Sequence, residues 1–311
     1  MSEQITFCNN IVPQSIALLE DAGYYEYAYE EINQSIISLV SPKGGTGKST
    51  LCRELAMMLS MMEYNGSKLN ICIVDFSFNN ADMDILLNVR NDRNMQEWID
   101  DIKTRMLNRA LWFNDIVYTK EQMDKYLTEY IDGIKVLLSP ATNCKVSDND
   151  MDIYRIMLHN LCNYGFDIII CDTSDCYSDI TIELSRISEC LLVVGNEELP
   201  TLRRIRRMYE EYMYHGINIS NIKFLINNTY SREHVQQFSD EQICSFLGID
   251  KIYSVIDYEK NMPNLNMRKT SAVVDGSTKY MKGIKELILN TYPQLEYIKE
   301  YRKKIKKEIQ R

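Results

Sequence analysis

Seven short apolar runs punctuate the chain. They read "SIISLVS" (35–41), "LNICIVDF" (69–76), "IKVLLS" (134–139), "DIIICD" (167–172), "CLLVVG" (190–195), "IKFLIN" (222–227) and "KIYSVI" (251–256). Each is too short for a helix and rich in Ile, Val or Leu, and most close on Asp, Asn, Ser or Gly, so each predicts a buried strand. Stretches of helical periodicity separate them near 48–62, 95–110, 150–163, 201–214, 233–247 and 277–290. Continuous apolar strands alternating with helices predict an α/β domain with a mostly parallel, doubly wound sheet and helices on both faces. Such sheets bind ligands at the carboxyl ends of their strands, where the polar motifs of this chain fall.

The pattern divides the chain into an N-terminal extension (1–34), a main domain (35–292) and a C-terminal helix (293–311). In the extension, "PQSIALLEDAG" has the spacing of a short helix and precedes the acidic, Tyr-rich "YYEYAYEEI". It reads as a segment packed on the domain or used for a partner contact.

Composition changes this picture little. The 311 residues are 45% hydrophobic and 25% charged, as in ordinary globular domains. The nine cysteines are scattered, with no C-x-x-C pair and no metal spacing. They predict reduced thiols and a cytoplasmic protein. No apolar run approaches the ~18 residues that span a bilayer. The net charge of −9 argues against indiscriminate nucleic-acid binding. Residues 295–311 nevertheless hold seven Lys/Arg against three Glu, a basic tail on an acidic body.

Candidate chemistry begins after the first strand, at "SPKGGTGKST" (41–50). Gly44, Gly45 and Gly47 allow backbone N–H groups, with that of Thr46, to converge on phosphate oxygens. The helix that starts near Lys48 and runs through Ser49 and Thr50 adds its positive dipole end. Lys48 is placed for β- and γ-phosphates, and the Ser49 hydroxyl for Mg²⁺. Strand, glycines, lysine and hydroxyl in this order define a nucleotide phosphate loop. Pro42 stands where the usual loop has its first glycine, and Lys43 is a second lysine that the loop alone does not need.

"KGGTGKS" resembles the deviant Walker A motif of the MinD/ParA family, Lys-Gly-Gly-x-Gly-Lys-Ser/Thr. The resemblance implies that ATP/ADP is the loop's ligand and that Lys43 is the signature lysine, which crosses the interface of an ATP-bound homodimer to the partner's phosphates. "IVDFSFNNADMDILLN" (73–88) is similar to the family's first switch. It implies that Asp75 lies near the Mg²⁺ shell and that Asp84 matches a later aspartate. Ser77 replaces the aspartate that orients the attacking water, and a hydroxyl is a weaker base and polariser. "FDIIICDTSDCYSD" (166–179) resembles the Walker-B-like strand and second switch, with Asp172 as a water-mediated Mg²⁺ contact. Ser174 and Cys176 stand where the family has proline and glycine. "FLINNTYSR" (224–232) implies that Asn227 reads the adenine. In "VIDYEKNMPNLNMRKTSAVV" (255–274), Asp257 replaces the proline of a base-bordering segment. The resemblance covers roughly residues 35–290. The segment 89–133 and "GIKVLLSPA" are similar to the CpaE/TadZ-like branch, associated with pilus assembly and polar localisation, although 34 residues are too few for that branch's receiver-like domain.

Two basic features lie outside this site. "LRRIRRMYEEYMY" (202–214) places Arg203, Arg204, Arg206 and Arg207 beside an apolar stripe. They form either a solvated face paired to Glu210 and Glu211 or a nonspecific DNA contact, as in ParA-like partition ATPases. The tail spaces Leu295, Ile298, Tyr301, Ile305 and Ile309 as a thin apolar stripe among lysines. It reads as a peripheral membrane contact, as in MinD-like proteins, or as a solvated or partner-packed helix.

The function expected from these residues is an ATP-dependent dimerising switch ATPase that positions or regulates cell machinery, with slow hydrolysis and an activating protein partner. The alternatives are a degenerate nucleotide-binding scaffold, a DNA-binding partition ATPase, and a metabolic kinase or ligase on the same scaffold. Lys43 argues against the last, since a small substrate needs no crossing lysine.

Overall fold

A computed structural model describes residues 35–309 except 79–80, 110–115, 132, 141–150, 175, 219–220 and 228–237. The N-terminal extension, the start of the helix expected from 233 and the last two residues lie outside the described set. Among the described residues the strands are β1 (Ser35–Val40), β2 (Met62–Tyr64), β3 (Ser67–Lys68), β4 (Ile71–Phe76), β5 (Thr128–Ile131), β6 (Ile134–Leu137), β7 (Ile168–Thr173), β8 (Cys190–Gly195), β9 (Ile222–Asn227), β10 (Ser254–Ile256) and β11 (Glu296–Tyr297). The helices are α1 (Lys48–Leu59), α2 (Met83–Leu87), α3 (Met95–Arg109), α4 (Lys120–Met123), α5 (Met151–Tyr164), α6 (Asp179–Ile187), α7 (Leu199–Tyr214), α8 (Asp240–Leu247), α9 (Met262–Met267), α10 (Ala272–Asp275), α11 (Thr278–Thr291) and α12 (Lys299–Ile309).

Eight strands form one sheet in the order β10-β9-β8-β1-β7-β4-β6-β5. Every pairing in it is parallel except the antiparallel β5–β6 edge. The seven apolar runs all became strands of this sheet. β5 was not foreseen, because "TEYI" alternates weakly and carries a charge, as edge strands do.

Alternation along the central strands divides the core. Ile37 and Leu39 of β1, Ile71 and Ile73 of β4, Ile168 and Ile170 of β7 and Leu192 of β8 face a cluster built with α1, α10 and α11. The residues between them face the other side. There Cys72, Val74, Ile169 and Cys171 meet α3 and α5, while Leu191 and Val193 meet α7 and α8. Each of these central strands is covered on both faces, which explains its unbroken hydrophobicity.

The C-terminal segment departs from the expected helix over 293–311. It opens with β11, which pairs antiparallel with β2 in a second, three-stranded sheet. Leu295 and Ile305 are buried in the main core, and Tyr301 and Ile309 pack against it. Arg302 donates to the Val274 carbonyl through Nε (3.1 Å) and Nη2 (2.7 Å), and Lys306 pairs with Asp275 at 2.6 Å. The apolar stripe is therefore turned inward, onto the domain. Spacing showed that one face of this helix is covered; it did not show by what.

Candidate nucleotide site

β1 delivers the chain to the loop at 41–47, and α1 begins at Lys48. The turn needs left-handed backbone at Gly45 (φ 77°) and Gly47 (φ 84°), and Gly47 is the N-cap of α1. A Cβ added at Gly44 or Gly45 would meet nothing within 4 Å among the described residues, which leave this face of the loop open. Ser41 holds the loop's start: its hydroxyl donates to the Lys43 carbonyl at 3.1 Å. Asn227 Nδ2 donates to the Thr46 carbonyl at 2.8 Å. The residue expected to read adenine thus braces the loop through its amide nitrogen.

Asp75 and Asp172 end neighbouring strands and are direct partners in the β4–β7 register. Both are 1% exposed. Burial, followed by the charge of Asp172, pushes the Asp75 carboxyl up to about 7, although it accepts the Ser77 N–H at 2.9 Å. Asp172 is raised by burial and held back by a hydrogen bond from Ser49 and the charge of Lys48. Its Oδ1 is buried without a hydrogen-bond partner among the described residues.

Two adjacent buried carboxylates, one with an orphaned oxygen, carry negative charge that a cation relieves. Their donors are all oxygen, and the Ser49 hydroxyl is bonded to Asp172. This set fits Mg²⁺, which takes one or two carboxylates together with substrate phosphates. Among the described residues no group of three or more His, Cys, Asp or Glu forms an all-protein metal cage.

The remaining predicted residues divide. Ser77 is buried beside Asp75. Asp84 lies in the first turn of α2, where its Oδ1 accepts the Ile85 N–H, and its charge adds to the rise at Asp75. Asp257 pairs with Lys279 at 2.9 Å. Cys176 is buried in the cluster under α7, and its carbonyl accepts the Tyr212 hydroxyl at 2.9 Å. This position, in the segment after β7, is therefore anchored to a helix. Arg206 pairs with Glu210 at 3.5 Å, whereas Arg203, Arg204 and Arg207 are exposed and make no ion pair among the described residues.

Two features escaped the sequence reading. Lys43 is ion-paired to Glu198, at the start of α7. Arg53 and Glu54 are buried in α1, one turn beyond the loop, at 1% and 0% side-chain exposure. Arg53 donates to Glu54 Oε1 (2.9 Å from Nε), and Glu54 Oε2 accepts from Ser271 Oγ (2.6 Å) and Val273 N (2.9 Å). Neither link has a local signal, since the partners lie far apart in sequence or look like surface charges.

The raised Asp75 carboxyl has a consequence for stability. A carboxylate with a higher pKa folded than unfolded contributes stability that is complete below about pH 4 and lost as pH rises through about 7. Between pH 5 and 8, nucleotide-free protein is expected to lose several degrees of melting temperature that Asp75→Asn does not lose. Thermal melts of both proteins across that range check this.

A strand, a glycine turn and a helix start beside two strand-end aspartates make up a P-loop nucleotide-binding fold. In three dimensions the chain is similar to MinD/ParA-family ATPases. A ParA-family ATPase from Chlorobium tepidum superposes with a TM-score of 0.66 at 18% identity, covering 83% of this chain and 97% of that one. The septum site-determining protein MinD from Pyrococcus horikoshii, complexed with Mg-ADP, gives 0.59 at 18% identity, over 82% and 94%. A Cyanothece McdA variant in complex with ATP gives 0.60 at 14% identity, over 82% and 96%. No protein-family model matches the chain, and no curated protein matches it in sequence.

Proposed function

We propose that this protein is an ATP-dependent dimerising switch ATPase that positions or regulates cell machinery. The observation that carries this reading is the separation of its two loop lysines. The charge of Lys48 acts on Asp172 inside the site, whereas Lys43 sits half-exposed at the loop's edge, bound to α7. One lysine serves the chain's own nucleotide and the other is available to a second copy. The similar structures that hold Mg-ADP or ATP support nucleotide as the ligand.

The residues divide the work as follows. The backbone of Gly44 to Gly47 and the start of α1 bind phosphate oxygens. Lys48 neutralises the β- and γ-phosphates, and Ser49, Asp75 and Asp172 hold Mg²⁺. Bound Mg²⁺ supplies positive charge against the developing phosphate charge. Ser77, beside Asp75, orients water with a hydroxyl in place of a carboxylate. Cys176, tied to Tyr212, restrains the second switch. Both features favour slow turnover.

Large exposed apolar side chains support a second copy as the dimer partner. Ile85, Tyr177, Leu199 and Tyr258 are 70%, 48%, 49% and 38% exposed, and they lie on segments leaving the carboxyl ends of β4, β7, β8 and β10. The phosphate loop opens at that same end. Apolar groups around a charged site suit a nucleotide-filled interface. The apolar stripe of α12 packs on the domain core, which disfavours membrane insertion through it. Exposed Arg203, Arg204 and Arg207, which make no ion pair among the described residues, favour an anionic surface or partner for α7, with DNA phosphate as the second reading.

The test is nucleotide binding together with steady-state phosphate release. Parent protein is expected to bind ATP·Mg²⁺ and release phosphate slowly. Lys48→Ala is expected to weaken ATP binding about 10- to 150-fold, the range for a charge-assisted hydrogen bond, and to abolish release. Binding that is unchanged in Lys48→Ala contradicts the site. Binding without any release leaves the degenerate scaffold as the correct reading.

A further inference from the structure

The two ends of the chain carry opposite charge. Residues 1–34, outside the described set, hold Glu3, Glu20, Asp21, Glu26, Glu30 and Glu31 and no Lys or Arg, with four tyrosines between 24 and 29. At the other end, α12 turns its apolar stripe and Arg302 onto the domain and keeps Lys299, Lys303 and Lys307 exposed. These three follow one another at intervals of four, which places them on one ridge, and they make no ion pair among the described residues. Like charges at this spacing repel, so the ridge gains from an anionic cover. The end of α12 borders a cavity of about 540 Å³ whose lining includes Lys120, Lys135, Tyr164, Gly165, Phe166 and Glu308. Tyr164 stacks on Phe166 with 4.3 Å between ring centroids, and Lys135 is paired to Asp124 at 2.6 Å. Lys120 makes no ion pair among the described residues and has the Tyr164 ring as its partner, at 5.3 Å. A Cβ at Gly165 would stand 3.2 Å from the Lys120 ammonium, so glycine there leaves it room.

The acidic segment is attached next to both features. Ser35, the first residue of β1, is hydrogen-bonded through its hydroxyl to that of Tyr292, just before β11 and α12. Its N–H donates to the Asp167 carbonyl at 3.3 Å, and the Asp167 N–H donates to the carbonyl of Asn70 at 2.8 Å, a residue that also lines the cavity. We propose that residues 20–31 dock on their own domain, with their carboxylates along Lys299, Lys303 and Lys307 and their tyrosines at the Lys120–Tyr164 cavity. Reach is ample, since twelve extended residues span up to about 40 Å, whereas the eleven residues of α12 make a helix of about 16 Å. Exposed ion pairs are weak one at a time. A tethered partner is present at high effective concentration, so several such pairs suffice for it where a free acidic peptide would be held poorly. An occupied ridge is closed to other anions, which gives the basic tail of this acidic chain its counter-charge from within.

The test compares the nucleotide-free 311-residue protein with a variant that combines Glu20→Gln, Asp21→Asn, Glu26→Gln, Glu30→Gln and Glu31→Gln, changes that touch none of the described residues. The first readout is the rate of reductive methylation at Lys299, Lys303, Lys307 and Lys120, followed by mass spectrometry with exposed Lys260 as internal reference. The variant is expected to label each of the four about two- to fivefold faster, the range for an exposed pair, with Lys260 unchanged. The second is carbodiimide cross-linking of the parent, which joins a carboxylate to an amine in contact with it. Cross-links from residues 20–31 to these lysines are expected within single chains. Equal labelling in the two proteins overturns the proposal, and protection of the same lysines only by phosphatidylserine vesicles makes lipid the occupant instead. Cross-links found only between chains assign the surface to the extension of a second copy and overturn docking within one chain.

Discussion

Lys43→Ala is expected to abolish the ATP-induced dimer at micromolar protein while disturbing nucleotide binding by the single chain far less than Lys48→Ala does. In a two-fold dimer each contact occurs twice. A charge-assisted hydrogen bond contributes about 1.5–3 kcal/mol, so two lysines contribute about 3–6 kcal/mol to the interface. That is roughly a 10²- to 10⁴-fold rise in the dimer dissociation constant. Sedimentation across a protein titration in ATP·Mg²⁺ reads the change directly. A Lys43→Ala protein that dimerises like its parent contradicts the crossing role. The separation of effects is the essential point. Lys48 lies at the start of α1 with its charge acting on Asp172, and Lys43 is tied outward to Glu198.

The largest effect on stability is expected at Glu54. Its carboxylate is fully buried, takes the guanidinium of Arg53, and accepts from Ser271 and Val273 at the start of α10. Arg53 also reaches the Leu86 carbonyl at the end of α2, at 3.4 Å. Glu54→Ala leaves a buried guanidinium without its counter-charge and an N-terminus without its acceptor. Breaking such a pair costs about 3–5 kcal/mol. For a domain near this size that corresponds to a fall of roughly 6–20 °C in melting temperature. Glu54→Gln keeps an acceptor for Ser271 and Val273 and is expected to fall between parent and Glu54→Ala. Calorimetry of the three proteins gives the order. Because the pair joins the phosphate-loop helix to α2 and α10, the loss is expected to lower nucleotide affinity as well.

The sheet was legible because each central strand is buried on both faces, so its sequence is uniformly apolar and stands out. The loop was legible because its glycines, lysine and hydroxyl are contiguous. Asp75 and Asp172 were legible as carboxylates near strand ends. Their adjacency was not evident in the sequence, since it depends on β7 inserting between β1 and β4. The Lys43–Glu198 pair was hidden for the same reason. Arg53 and Glu54 were hidden differently, since their charges suggest an exposed helix face and only each other's presence allows burial. The stripe of α12 was read correctly as apolar, but its partner proved to be the domain core. Edge strand β5 lacks the two-sided burial that makes a strand recognisable. For the central strands and α12, local pattern revealed which groups must be covered, and tertiary order decided with what.

The central claim is that ATP brings two copies of this chain together. Its most direct test is the mass of the 311-residue protein by light scattering, first in ADP·Mg²⁺ and then in ATP·Mg²⁺, at one protein concentration. The account predicts one chain in ADP and two in ATP. The same mass in both nucleotides contradicts it.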